Sequence, residues 1–162
     1  MVRRSVLKLF FKVVLVCSVL IASTSRSEEI ALFTTWENFE ADKCASIWLI
    51  QRFVAPNAKI RFYPKGELLT EGVSFDTPDS EFRRYHNKST FETFLEHYKI
   101  TDKKAIDIGN IVHDIEINIW EKKALSKTIE VMNEINQLRK DLNLNDHERI
   151  IQTCVSYFDT RF

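Results

Sequence analysis

The sequence predicts an α+β domain, predominantly helical, with about five helices and a small sheet of two or three strands. Three observations predict it. Glycine and proline are scarce, three of each in 162 residues, so loops are few and helices are seldom broken. The second half repeats apolar residues every three or four positions over long stretches. Lys59 to Tyr63 (KIRFY) alternates polar and apolar residues, as a half-buried strand does. A chain of this length buries one core, and no repeat or low-complexity stretch divides it.

Residues 1–27 read as an export signal. Arg3, Arg4, Lys8 and Lys12 precede an apolar run from Val13 to Ala22 that is too short for a comfortable membrane span. Ser23 to Ser27 then offers small residues for cleavage, after Ser25 or Ser27. The alternative is an uncleaved anchor. The expectation is a periplasmic or secreted protein, residues 28–162 forming a single domain with no stable membrane insertion after cleavage. The signal holds five basic residues and no acidic one, so the remainder has 18 Lys and Arg against 23 Asp and Glu. A mildly acidic domain is a poor nucleic-acid binder, because neutralising phosphates dominates that affinity. Two cysteines remain, Cys44 and Cys154. In an oxidising compartment they pair or stay as buried thiols, and spacing does not choose between these. There is no CxxC pair, hence no zinc-ribbon or thioredoxin-type signature.

Taken in order, Ile30 to Phe39 is an apolar and aromatic lead-in that ties the start of the domain down. The organising stretch is Ala41 to Pro64, a helix running into a strand. Asp42 caps or starts the helix, Leu49 and Phe53 point into the core, and Pro56 ends it, since the residue before a proline leaves the α region. Lys59–Tyr63 is the strand, and Val73–Asp76 a second short one. Thr77–Ser89 is the longest irregular stretch, a length that is often functional. Thr90–Tyr98 is a helix with a Thr cap preference. Asp102–Glu121 carries a stripe of Ile108, Ile111, Val112, Ile115 and Ile119. Leu125–Leu142 is the fourth helix, and Asn145 or Asp146 opens the fifth.

Several side chains stand where chemistry is possible. Asp42 and Ser46 lie at a helix start on its core side, as a cap or as a polar site where the dipole favours anions. His113 and Glu116 are three apart on one flank of the isoleucine stripe, with Gly109 and Trp120 beside them. This spacing fits a metal chelated from one helical turn, or a surface pair. The glycine leaves room for a ligand or for backbone. His86 follows Arg83 and Arg84 in the long loop, where the arginines either hold an oxyanion or remain solvated. Asp76 ends a strand and begins that loop. No Ser-His-Asp arrangement, phosphate-cradling loop or dinucleotide fingerprint is present.

At these residues the chain resembles the chromate-resistance exported protein family, also called the ChrB C-terminal domain. The matching pieces are Asp42 with Trp48–Phe53 (WLIQRF) and Pro56, then Phe75-Asp76, His86 followed by Thr90-Phe91-Glu92, and Ile111–Asp114 (IVHD) with Glu116. Order and spacing agree from about Trp36 to Leu138. Two positions depart: many relatives carry a cysteine where this chain has Ser46, and often a proline where it has Ser74. A thiol role at Ser46 therefore does not transfer. Some members add an upstream DNA-binding region and act as regulators. This chain carries a signal segment instead, so that role does not transfer either.

The resemblance implies an exported protein tied to chromate resistance or sensing, and it groups the candidate residues into one constellation. Read with the residues themselves, it gives a ligand-binding domain whose cofactor is a divalent metal ion and whose partner is that ion or a small oxyanion. His86, His113 and Glu116 are the expected metal residues, with Asp42 as an alternative carboxylate. Asp42, Arg52 and Asp76 are the expected ligand residues, Arg52 positioning Asp76 or pairing an oxyanion. The alternatives are a metal-dependent hydrolase using bound water and a non-catalytic interaction module presenting its aromatic residues. No flavin, haem or dithiol signature supplies electrons, so the sequence fixes no reaction.

Overall fold

The computed structural model describes residues 30–120 and 122–162; the export segment lies outside them. The elements are β1 (Leu32–Trp36), α1 (Ala41–Leu49) with a π-helical turn over Ile50–Val54, β2 (Lys59–Tyr63), β3 (Val73–Ser74), α2 (Thr90–His97), α3 (Lys103–Glu116), α4 (Ser126–Asp141) and α5 (His147–Arg161). The fold is α+β and predominantly helical, as expected. No described helix is long and apolar enough to cross a membrane.

The sheet is three-stranded and parallel in the order β2-β1-β3, with Phe33 opposite Ile60 on one side and Val73 on the other. The crossover from β1 to β2 runs through α1, because parallel neighbours cannot be joined by a tight turn. The lead-in expected over Ile30 to Phe39 is thus the central strand. Phe33, Thr34 and Thr35 are all buried in it. A strand covered on both faces loses the alternation that identifies a half-buried one, and two adjacent threonines hide it further.

Helix α1 is buried along its whole length and packs on α2, α3 and α5. Trp48 is its central side chain, 1 % exposed. Its ring stacks on Phe91, with centroids 6.5 Å apart, and tilts against Phe158, while its indole N–H donates to Asp159 Oδ1 at 2.9 Å. Leu49 is fully buried but Phe53 is 39 % exposed, which corrects the expectation that both fill the core. The helix widens after Leu49, with Ala55 N–H donating to Ile50 O at 2.8 Å, five residues back. Wider turns rotate each residue less, so Phe53 falls off the stripe and leans edge-on against Trp48. Trp48→Ala therefore costs about 3–5 kcal/mol of unfolding free energy and Phe53→Ala under about 1.5 kcal/mol. Urea titrations of both variants check this ordering.

Two helix ends also differ from expectation. Ser89, not Thr90, caps α2: its hydroxyl accepts from Glu92 N–H at 3.2 Å while Glu92 accepts from Ser89 N–H at 2.8 Å. Helix α3 stops at Glu116, five residues early. Asp114 accepts bonds from Asn118 Nδ2 (2.7 Å), Ala124 N–H (2.9 Å), Leu125 N–H (3.0 Å) and the Thr128 hydroxyl (2.6 Å), which reverses the chain into α4. Ile119 consequently leaves the apolar stripe and Trp120 the flank beside it, and they stand 85 % and 74 % exposed. The pairing left open by the sequence is a disulfide, Cys44 on α1 to Cys154 on α5, with both residues buried.

Candidate functional site

Asp42 is buried, but it does not cap its own helix. The cap position of α1 is Glu40, and the Asp42 carboxylate reaches across to the start of α2, accepting from Thr90 N–H at 2.6 Å and Phe91 N–H at 2.8 Å. The sequence indicated a carboxylate site at the start of α1; the structure puts that carboxylate at the N-terminus of α2 instead. Together with the Ser89–Glu92 box it fills the amides that an external anion would otherwise use.

Around Asp42 lies a knot of charged groups. Asp76 takes a left-handed backbone (φ 53°), a conformation that Asp tolerates, and ends the strand region with its side chain turned inward. It accepts from the Thr90 hydroxyl at 3.1 Å and pairs with Lys43 Nζ at 3.4 Å. Lys43 is 2 % exposed and also donates to Trp36 O at 2.7 Å and to Asn38 Oδ1. Glu116 pairs with Arg84 Nη1 at 2.6 Å and faces the Asp42 backbone N–H. Burial pushes the pKa of Asp42 well up, and the Asp76 charge adds to it. Burial also raises Asp76 against the pull of Lys43, and Glu116 against that of Arg84. Burial lowers Lys43 from the usual ammonium range, against the pull of Asp76. The knot ties α1, α2 and the end of β3 together, although Asp76 Oδ2 meets Lys43 only as an ion pair and accepts no hydrogen bond among the described residues. Lys43 was missed in the sequence because it follows Asp42 in a helix start, where a lysine reads as solvated.

Three candidate residues play other parts than expected. Arg52 neither positions Asp76, whose cation is Lys43, nor stands free for an oxyanion. It forks onto Asp159, with Nε 3.1 Å from Oδ1 and Nη2 2.5 Å from Oδ2, and so ties the π turn to α5. Gly109 does not open a ligand pocket. A Cβ there would lie 3.0 Å from Leu95 Cδ1 and 3.3 Å from Phe91 Cε1, so the glycine lets α2 pack closely on α3. Trp120 has left the helix flank. His86 is exposed in the long loop, two residues from Arg84. Among the described residues no three His, Cys, Asp or Glu side chains are grouped so as to hold a metal ion. His86, His113 and Glu116 therefore do not form a closed three-ligand set.

His113 is the exception with an open valence. Its Nδ1 lies 2.9 and 3.0 Å from the two Glu92 carboxylate oxygens, and Glu92 is itself fixed by the α2 capping box. The carboxylate sets the imidazole tautomer, placing the proton on Nδ1 and the lone pair on Nε2. Nε2 makes no hydrogen bond to the described residues, and the side chain is 42 % exposed. His113 lines an open cleft of about 1060 Å³ between α3 and the start of α4, together with Asn110, Ile111, Leu125, Lys127 and Phe162. Glu92 went unassigned in the sequence reading. Its signal was the Ser-x-x-Glu box, which explains the cap but not the histidine 21 residues further on.

A family model described as "ChrB, C-terminal domain" matches residues 33–162 of the chain. Neither the curated proteins nor the solved structures compared with it contain a match.

Proposed function

Because the chain belongs to the ChrB C-terminal domain family and is thereby related to chromate-resistance proteins, we propose that it is an ion-binding domain whose principal protein ligand is His113. The single observation that carries the reading is the Glu92–His113 pair. A carboxylate holding one imidazole nitrogen, with the other unbonded beside an open cleft, is the arrangement in which histidine binds a divalent metal ion. An imidazole donor suits zinc, nickel or copper better than magnesium or calcium. The residues of this chain fit such an ion at one position and leave the remaining positions to solvent or to a ligand.

The metal reading is preferred to the oxyanion reading on electrostatic grounds. The N-terminus of α2, where an anion would bind, is filled by the carboxylates of Asp42 and Glu92, and Arg84 is already paired with Glu116. Export to the periplasm or beyond is part of the proposal. It rests on the basic and apolar pattern of residues 1–22 and is supported by the Cys44–Cys154 bridge, which persists in oxidising compartments.

Calorimetric titration of the purified protein with nickel or zinc tests the reading. His113→Ala abolishes specific binding, and Glu92→Gln weakens it roughly 10–100-fold, with the helical circular-dichroism signal retained in both. His86→Ala and Glu116→Gln report whether those two residues also reach the ion. A His113→Ala protein that binds as the parent does overturns the proposal and leaves the interaction-module reading as the better one.

A further inference from the structure

The cleft beside His113 is far larger than an ion. Its volume of about 1060 Å³ lies just above the range of roughly 300–1,000 Å³ typical of pockets for small organic molecules. The protein also offers little to complete an ion's coordination there. Glu116 is engaged by Arg84, Glu92 is spent on His113 Nδ1 and the α2 cap, and Asp114 is saturated by four donors. One imidazole nitrogen holds a bare divalent ion weakly, so tight binding needs donors from elsewhere.

The charged groups lining the cleft indicate what those donors are. Three acids and three lysines face it: Asp102, Asp107, Asp114, Lys103, Lys104 and Lys127. Asp102 is occupied as the cap of α3, accepting from Ala105 N–H at 3.0 Å, and Asp107 is paired with Lys103 at 2.7 Å. Asp114 has no valence left. Lys104 and Lys127 have no carboxylate partner among the described residues. Lys104 donates to the Asp159 carbonyl at 3.0 Å and lies over the Trp48 ring, and Lys127 lies over the Phe162 ring. Both are long, mobile side chains that can turn to a ligand. The six charges sum to zero, but Asp102 and Asp114 are engaged by neutral donors and Asp107 by Lys103, so Lys104 and Lys127 are the two lysines of the cleft outside an ion pair, and they line it with His113.

Resting on the reading of His113 as a ligand, we propose that the cleft takes a divalent metal already held by a small polycarboxylate chelator, not a bare ion. His113 Nε2 fills an open coordination position of the complex, and Lys104 and Lys127 meet the chelator's carboxylates. Carboxylates met in this way are charge-assisted partners, and the chelator supplies the oxygen donors that the protein lacks.

Calorimetry with three probes tests this: nickel ion alone, nitrilotriacetate alone, and the one-to-one nickel–nitrilotriacetate complex, which is an anion with open coordination positions. The complex binds the whole protein at least about tenfold more tightly than nickel alone, and the free chelator binds more weakly than the complex. A Lys104→Gln/Lys127→Gln double variant loses most of that gain and keeps its affinity for nickel alone, while a thermal melt confirms that it is folded. Lys59→Gln, at an exposed lysine of β2 outside the cleft lining, leaves complex binding unchanged. Equal or tighter binding of nickel alone, or an unaltered complex affinity in the lysine variant, overturns the chelate proposal while His113 ligation stands. Loss of neither interaction in His113→Ala overturns both.

Discussion

Removing the disulfide by the double substitution Cys44→Ala/Cys154→Ala lowers the unfolding free energy by about 3–5 kcal/mol. The bridge spans 110 residues of sequence, and for a loop near that length the chain-entropy model gives about 4.7 kcal/mol, chiefly by restricting the unfolded chain. Both cysteines are at most 1 % exposed, so the substitution also leaves a small void between α1 and α5. Urea unfolding of the oxidised parent, the parent refolded under strong reductant and the double variant measures it. The last two have similar midpoints, both well below the first. A double variant that unfolds at the parent's midpoint shows that the α1–α5 contact holds without the bridge. The loss also reaches the candidate site, because α1 carries Asp42, which accepts from the first amides of α2, the helix that carries Glu92.

Replacing Asp114 with Ala costs about 3 kcal/mol at neutral pH, since hydrogen bonds to a charged group contribute about 1.5–3 kcal/mol and water can recover the exposed partners only in part. The buried Thr128 hydroxyl is the partner that water does not reach. The cost depends on pH in a defined sense. Burial works to raise the Asp114 pKa, but the bonds from Asn118, Thr128, Ala124 and Leu125 outweigh it and hold the carboxylate well below its usual range. A carboxylate with a depressed folded pKa stabilises the protein fully above its unfolded value of about 3.9, and the contribution disappears as pH falls through the folded value. The stability gap between parent and Asp114→Ala is therefore flat near neutrality and closes as the solution is acidified below about pH 4. The knot of Asp42, Asp76 and Glu116 has the opposite sign: their raised values favour the protonated folded state, so they cost stability as pH rises above the ordinary carboxylate range. Unfolding midpoints taken from about pH 3 to pH 8 for both proteins separate the two effects. A gap that persists unchanged at the acid end overturns the assignment of Asp114 as an ionised staple.

Periodicity and end signals settled which segments are helices and where β2 lies. Lys59–Tyr63 was legible because one of its faces is buried and the other is not, and the start of α5 was legible to within one residue, Asn145 or Asp146, because its apolar stripe begins just after; the cap is Asp146. The family was legible too, through side chains whose order survives in the linear chain. What sequence could not decide was every feature set by a partner distant in the chain. β1 is a strand because Lys59–Tyr63 and Val73–Ser74 flank it, and a five-residue segment covered on both faces carries no period of its own. Phe53 turns outward because the helix widens after Leu49, and Ile119 does so because Asp114 reverses the chain. The candidate site followed the same rule. His113 was singled out as a candidate by the spacing of its own helix, but Glu116, its neighbour there, pairs with Arg84, and the carboxylate on its Nδ1 is Glu92 of α2. Asp42 was read as the cap of its own helix, and packing carries its carboxylate to the start of α2 instead. Local pattern reports the surface a segment must bury, whereas hydrogen bonds and ion pairs between segments form wherever packing brings donors and acceptors within about 3 Å.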